Sequence, residues 1–236
     1  MNISAPPWDF IVILVALATI VPWRGVIRVR TLFARSSITS ADRMGIYAST
    51  IALQWLAVGL TAWRCFARGL SARSLGISLP HPAGTVALGI TIALLFAFLQ
   101  MLGFRALSKV PVERRGRVYE LACKIRPQGA AEILAFVALV VTVSFCEEFL
   151  FRGFAFAIFR QLLLGSAAAA ILASSSLFAV GHLYQGRRGI VITFFLGVIF
   201  ALARTFTGSL LPPVMAHCAV DLMAGLAAPR PDLSKN

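Results

Sequence analysis

Three short motifs at helical spacing carry the groups of this chain that could do chemistry. They are Glu147-Glu148-x-x-x-Arg152, Phe178-x-x-x-His182 and His217-x-x-x-Asp221. Residues four apart share a helix face, so Glu148 and Arg152 can pair along one, with the acid on the favourable N-terminal side. Glu147, one position earlier, points a quarter turn or more away at the helical period of about 3.6 residues. One carboxylate is thus neutralised locally, and the other stays free for the work of a general base. Asp221 can accept a hydrogen bond from His217 along the helix and fix its tautomer. Two of the three histidines of the chain fall in these motifs, and His81, between Pro80 and Pro82, reads as a loop residue.

The setting makes these groups costly. The chain has 236 residues, of which 59% are hydrophobic and 13% charged, with a mean hydropathy of +0.85. No ordinary soluble domain has this composition. A charged side chain at membrane depth disfavours insertion by roughly 2.5–3.5 kcal/mol on translocon scales. Of nine acidic residues, Glu147, Glu148 and Asp221 lie well inside apolar runs, whereas Glu132 stands at the start of one, where an acid favours a helix N-terminus. Any single motif has a packing explanation: a buried ion pair, or a polar lock between helices. Three helices each bringing ionisable groups into lipid point instead to one shared site.

The elements that must hold this site are apolar stretches at Trp8–Trp23, Ile46–Trp63, Ala83–Phe104, Ala130–Phe151, Phe154–Leu164, Gly165–Gly181, Gly189–Ala203 and Gly208–Ala228. Backbone polar groups in lipid must be satisfied within the segment, so the stretches are helices. A span needs about 20 residues, with 17–25 usual. The expected fold is therefore all-α: a polytopic transmembrane bundle of seven or eight spans, forming one integral membrane domain over residues 1–236. The short stretch Phe154–Leu164 reads as a tilted or partial helix. If it crosses, the fourth and sixth stretches run the same way and bring Glu147 and His182 to one side, and His217 is deep enough to approach them. Pro229–Asn236 reads as a polar tail. The run Phe10–Val21 has no basic residue before it and no small-x-small site after it, so it is expected to be a retained span rather than a signal peptide.

The net charge of +13 is not a nucleic-acid signature in this context, because Lys and Arg lie mostly between apolar runs, where they orient helices and meet anionic lipid. Arg24 to Arg43 contains five arginines, Arg64 to Arg73 three, and Arg105 to Arg126 seven Lys or Arg. The positive-inside rule then puts the first and third connections in the cytoplasm and the glutamates toward the outer side. Trp8, Trp23, Trp55 and Trp63 lie in the first two stretches, three of them near expected ends, as interfacial anchors do. Cys65, Cys123, Cys146 and Cys218 contain no C-x-x-C pair, so neither a disulfide framework nor a zinc knuckle is implied.

At Glu147–Arg152, Phe178–His182 and His217–Asp221, in that order, the chain resembles the CAAX protease and bacteriocin-processing family, which includes the type II CAAX prenyl endopeptidases. The resemblance covers residues 130–228, the expected catalytic core; residues 1–129, with the N-terminal spans and basic loops, match only in being hydrophobic. It implies an all-helical intramembrane endopeptidase of about eight spans in a bacterial inner membrane, with a peptide or membrane protein as substrate. It further implies Glu147 as general base with His182 as partner, His217 as oxyanion donor together with the motif-three acid, Glu148 and Arg152 as bracing groups, and Phe178 as packing. Asp221 departs from the Asn of the prenyl endopeptidases, although bacterial relatives accept either. An ionised Asp would repel an oxyanion, so Asp221 is either protonated or orients His217. The prenyl endopeptidases also face the cytosol, opposite to the charge count above.

With no serine elbow present, water is the expected nucleophile and no cofactor is required. Zinc on two histidines and a carboxylate is the competing mechanism, although H-E-x-x-H is absent. Two non-proteolytic readings remain open: an immunity or scaffold protein that keeps the fold, and a transporter with a proton relay. The transporter lacks the inverted repeat that many show.

Overall fold

The structure, a computed structural model, describes residues 7–111 and 114–227. Residue 228 and the expected polar tail Pro229–Asn236 lie outside the described residues. Every regular element among those described is helical. In chain order these are α1 (Trp8–Ala34), α2 (Ser40–Ala67), α3 (Pro82–Ser108), α4 (Arg117–Ile125), α5 (Ala130–Glu148), a π-helical segment (Phe149–Ala155), α6 (Phe156–Leu162), α7 (Ala167–Gly181), a 3-10 turn (Leu183–Gln185), α8 (Gly186–Thr207) and α9 (Leu211–Leu226). Five runs are long and apolar enough to cross a membrane: α1, α2, α3, the continuous run Ala130–Leu162, and Leu183–Thr207. α7 and α9 are shorter apolar helices. The chain is an integral-membrane helical bundle.

Two expectations about the elements change. Phe154–Leu164 is not a span of its own. The fourth and fifth stretches form one 33-residue run, because Gly153 does not break the helix but sits inside the π segment. α1 also continues to Ala34, so Trp23 lies within a helix rather than near its end.

The run Ala130–Leu162 is the axis of the bundle: half of its most apolar window is buried, against 6% for α3, which packs one side on α9 and leaves the rest outward. Phe149, Leu150, Phe151 and Phe154 pack with Phe10, Leu14 and Leu17 of α1 and with Phe178 of α7. The Phe10 and Phe154 rings meet edge to face at 5.5 Å, a favoured aromatic geometry.

After α6 the chain reverses in a tight turn. Leu164 and Gly165 take φ of +54° and +83°, the left-handed region that glycine enters without steric cost. Ser166 then caps α7, its Oγ accepting from Ala169 N at 3.3 Å. The resulting hairpin sets Phe151 against Phe178, ring centres 5.1 Å apart, and brings Glu147 to His182. The two segments do converge, but as antiparallel neighbours of one hairpin. The parallel arrangement expected from a crossing fifth stretch does not occur.

The N-terminal helices are tied on by polar contacts. The buried Arg43 of α2 donates from Nε and Nη2 to Glu132 of α5 at 2.7 and 3.0 Å. Tyr47 donates from its hydroxyl to the Ile125 carbonyl at 2.5 Å. Glu132 is thus a partner in an interhelical lock, beyond the helix-terminus role its position suggests.

The termini sort by charge. The end of α1, α4 and the start of α8 share one end of the bundle: Lys124 donates to the Arg35 carbonyl at 2.8 Å, and Arg115 and Arg117 line a cleft with Arg187 and Arg188. At the opposite end Arg64 and Arg68 are drawn to Asp9 of α1. The fourth stretch does not end just after the glutamates, as its expected bound at Phe151 had it. The helix runs on past them to Leu162, so they lie within its length.

Candidate active site

Three helices deliver the motif residues to one place. Glu147 and Glu148 end α5, immediately before the π segment Phe149–Ala155 that carries Arg152. π-helical insertions are frequent at functional sites. His182 is the residue after α7, and His217 lies six residues into α9, about 9 Å along it at 1.5 Å per residue.

Glu148 is the hub. Its Oε1 accepts from Arg152 Nη1 at 3.0 Å along the helix and from His217 Nδ1 at 2.8 Å across to α9. Glu148 and Arg152 are fully buried. The guanidinium of Arg152 also lies over the Phe178 ring, 4.0 Å from its centre, a cation–π contact in a desolvated setting. Gly197 of α8 makes room for it, since a Cβ there would stand 3.1 Å from Arg152 Nη2 and from the Ser175 side chain.

This geometry corrects one expectation. Asp221 does not hold His217 by a hydrogen bond: the Nε2 to Oδ2 distance is 3.6 Å, too long. Glu148 fixes that ring, reaching it from another helix. Asp221, whose side chain is 36% exposed, stands on the Nε2 side of the ring, away from the Nδ1 that Glu148 holds.

His182 is oriented by its own helix. Its Nδ1 lies 2.8 Å from the Phe178 carbonyl, which can only accept, so Nδ1 carries a proton and donates. In the neutral ring Nε2 is then an acceptor. Phe178 therefore acts twice, its carbonyl setting the tautomer of His182 and its ring packing against that imidazole at 4.5 Å.

Glu147 completes the arrangement. Its Oε1 accepts from Gln54 Nε2 of α2 at 3.1 Å. Its Oε2 has no hydrogen-bond partner among the described residues and stands 3.9 Å from His182 Nε2 and 4.0 Å from His217 Nε2. Both gaps exceed a direct hydrogen bond and suit a bridge through one small molecule. Among the described residues no group of three or more His, Cys, Asp or Glu is arranged to hold a metal ion.

All seven residues singled out from the sequence thus meet in one cluster. Sequence reasoning missed Gln54, although a lone amide inside the apolar run Ile51–Gly59 was a signal of its own, because polar residues at membrane depth usually face a partner. It also missed Gly197, which nothing local marks.

The fold and cluster define a class: a helical membrane protein with a buried acid–imidazole centre. Residues 129–223 match the family described as Type II CAAX prenyl endopeptidase Rce1-like. That match bears out the resemblance carried by the three motifs, and it encloses every site residue except Gln54. No curated protein matches the chain, and neither does any solved structure.

Proposed function

We propose that the chain is an intramembrane endopeptidase that hydrolyses a peptide bond with water activated by Glu147 and His182. The observation that carries this reading is the position of Glu147 Oε2, about equidistant from the Nε2 atoms of His182 and His217. Two acceptors, Glu147 Oε2 and His182 Nε2, flank the first gap, so a water there donates one hydrogen to each and keeps its lone pairs for attack. As its oxygen bonds to the substrate carbonyl carbon, Glu147 takes the proton and the carbonyl becomes an oxyanion. His217 donates a hydrogen bond from Nδ1 to Glu148 and keeps that proton, so its Nε2 serves the oxyanion as a donor when the ring holds both protons. Asp221 and Glu147 offset that positive charge. Glu147 then passes its proton to the departing amine as the C–N bond breaks. Gln54, Glu148 and Arg152 touch none of the reacting atoms and position those that do.

The charge distribution supports a cytoplasmic orientation for the basic end. His182 leads directly into that end through the turn Leu183–Gln185, so this reading sets the site on the cytoplasmic side of the bundle. This reverses the outward placement and agrees with the resemblance.

The test is comparative proteomics of membranes carrying the wild-type protein, Glu147→Gln or His182→Ala at matched abundance. Shortened membrane proteins present only with wild type support proteolysis. An unchanged set of fragments, with a phenotype retained by both variants, overturns it in favour of a scaffold. Metal analysis of the purified protein, together with chelator sensitivity of cleavage, separates the water mechanism from a zinc one.

A further inference from the structure

At the basic end, the start of α4 and the start of α8 face each other across a cleft lined by Arg115, Arg117, Gln185, Arg187, Arg188 and Ile192. Its lining contains four guanidiniums and no carboxylate among the described residues. The arginines differ in state. Arg115 is tied down, donating to the carbonyl of Val110 at 2.9 Å and to the Tyr119 hydroxyl at 2.9 Å. Arg117, Arg187 and Arg188 are exposed, and none forms an ion pair with a described residue. Like charges so gathered repel one another unless an anion joins them. The cleft also opens on the first turn of α8, a 22-residue helix whose N-terminal amides add to the attraction for an anion.

A second observation says what kind of anion fits. Below Arg188, α8 presents Ile192, Phe195, Ile199 and Phe206 along one exposed stripe, 60%, 60%, 39% and 81% exposed respectively. The steps of three, four and seven residues keep this stripe on one helix face running from the cleft toward the other end. A polar anion site continuous with an outward apolar track has the shape of a phospholipid: headgroup phosphate at one end, acyl chain along the other. An acidic peptide would account for the arginines but leave the track without a role.

We propose that this cleft is a specific anionic-phospholipid site, with the phosphate held by Arg117, Arg187 and Arg188 and one acyl chain lying along Ile192, Phe195 and Ile199 of α8. The site begins three residues after His182, so an occupant braces the turn Leu183–Gln185 that leaves the catalytic cluster.

The test is native mass spectrometry of the full-length protein in detergent, titrated with phosphatidylglycerol, phosphatidylcholine or inorganic phosphate. The wild type is expected to retain one phosphatidylglycerol in preference to phosphatidylcholine. Arg187→Gln with Arg188→Gln should weaken that binding about 25-fold, about fivefold for each arginine near a lipid surface. Arg105→Gln, an exposed arginine outside the cleft that also lowers the net charge, should leave it within about twofold. Phe195→Ser should weaken phosphatidylglycerol binding without creating a preference for phosphate. Equal retention of both lipids overturns the proposal. So does an equal loss with Arg105→Gln, which would mean diffuse surface attraction, or full competition by inorganic phosphate, which would mean an anion site without a lipid. The readout is binding and does not depend on proteolysis, so it succeeds or fails separately from the proposed hydrolysis.

Discussion

Two buried acid–arginine pairs lie in the same bundle, and they are built differently. At Arg43–Glu132 both carboxylate oxygens are engaged, Oε1 by Arg43 Nη2 and Oε2 by Arg43 Nε and by the backbone N–H of Gln128 at 2.9 Å. At Glu148–Arg152 the pair is left open: Glu148 Oε2, Arg152 Nε and Arg152 Nη2 have no hydrogen-bond partner among the described residues, and neither has the neighbouring Glu147 Oε2. Buried polar groups are normally satisfied, and those that are not call for an explanation. A closed pair joins helices. An open one keeps capacity for a further molecule, and here it stands beside two imidazoles.

That contrast can be broken by substitution. The largest effect is expected for Glu147→Gln, which should slow turnover about 10²–10⁴-fold, the usual worth of a general base, with normal thermal unfolding of the purified protein. A variant that cuts at the wild-type rate removes Glu147 from the chemistry. Next comes Glu148→Gln, which strands a fully buried guanidinium and should destabilise by about 3–5 kcal/mol in denaturation of the purified protein. The double replacements sharpen the point. Arg43→Met with Glu132→Leu should keep both fold and turnover, since a closed pair can be exchanged for apolar packing. Glu148→Leu with Arg152→Met should keep the fold but lose turnover, because His217 Nδ1 is no longer held. Equal loss of turnover in both doubles would erase the distinction between them.

A smaller effect is expected at Gln54→Ala. Losing a hydrogen bond to a charged group is worth about 1.5–3 kcal/mol, so turnover should fall about tenfold to a hundredfold with little change in unfolding temperature. Gln54→Asn, one methylene too short to reach Glu147, should not restore it. Smallest is Asp221→Asn, expected to change turnover only a few-fold because Glu148 orients His217. A loss as large as that of Glu147→Gln would return the orienting role to Asp221.

The sequence made the clustered residues legible because their pairing is local. Residues four apart, such as Glu148 and Arg152, must share a face, and ionisable groups in lipid advertise themselves. What it did not reveal depends on distant contacts. Nothing near Gln54 says that it will meet Glu147 93 positions later, nor does anything near Arg43 name Glu132. The π segment was hidden for another reason. Gly153 reads as a break between two apolar stretches, yet the glycine is there because the Leu75 carbonyl comes within 2.9 Å of where its Cβ would be. The expected fifth span, and the parallel run of the sixth stretch that it implied, followed from that one misread boundary.

The turn at Leu164 and Gly165 has a consequence for which changes of length the protein tolerates. Because one tight reversal joins the two arms, Glu147 and His182 meet only while each arm has the same reach. A residue added inside α7 would swing His182 by about 100° around the axis and move it about 1.5 Å along, out of step with the carboxylate opposite. The same residue added at the bend itself would lengthen only the loop. The hairpin works as a measuring stick, and variation in length between these two positions should be confined to its tip.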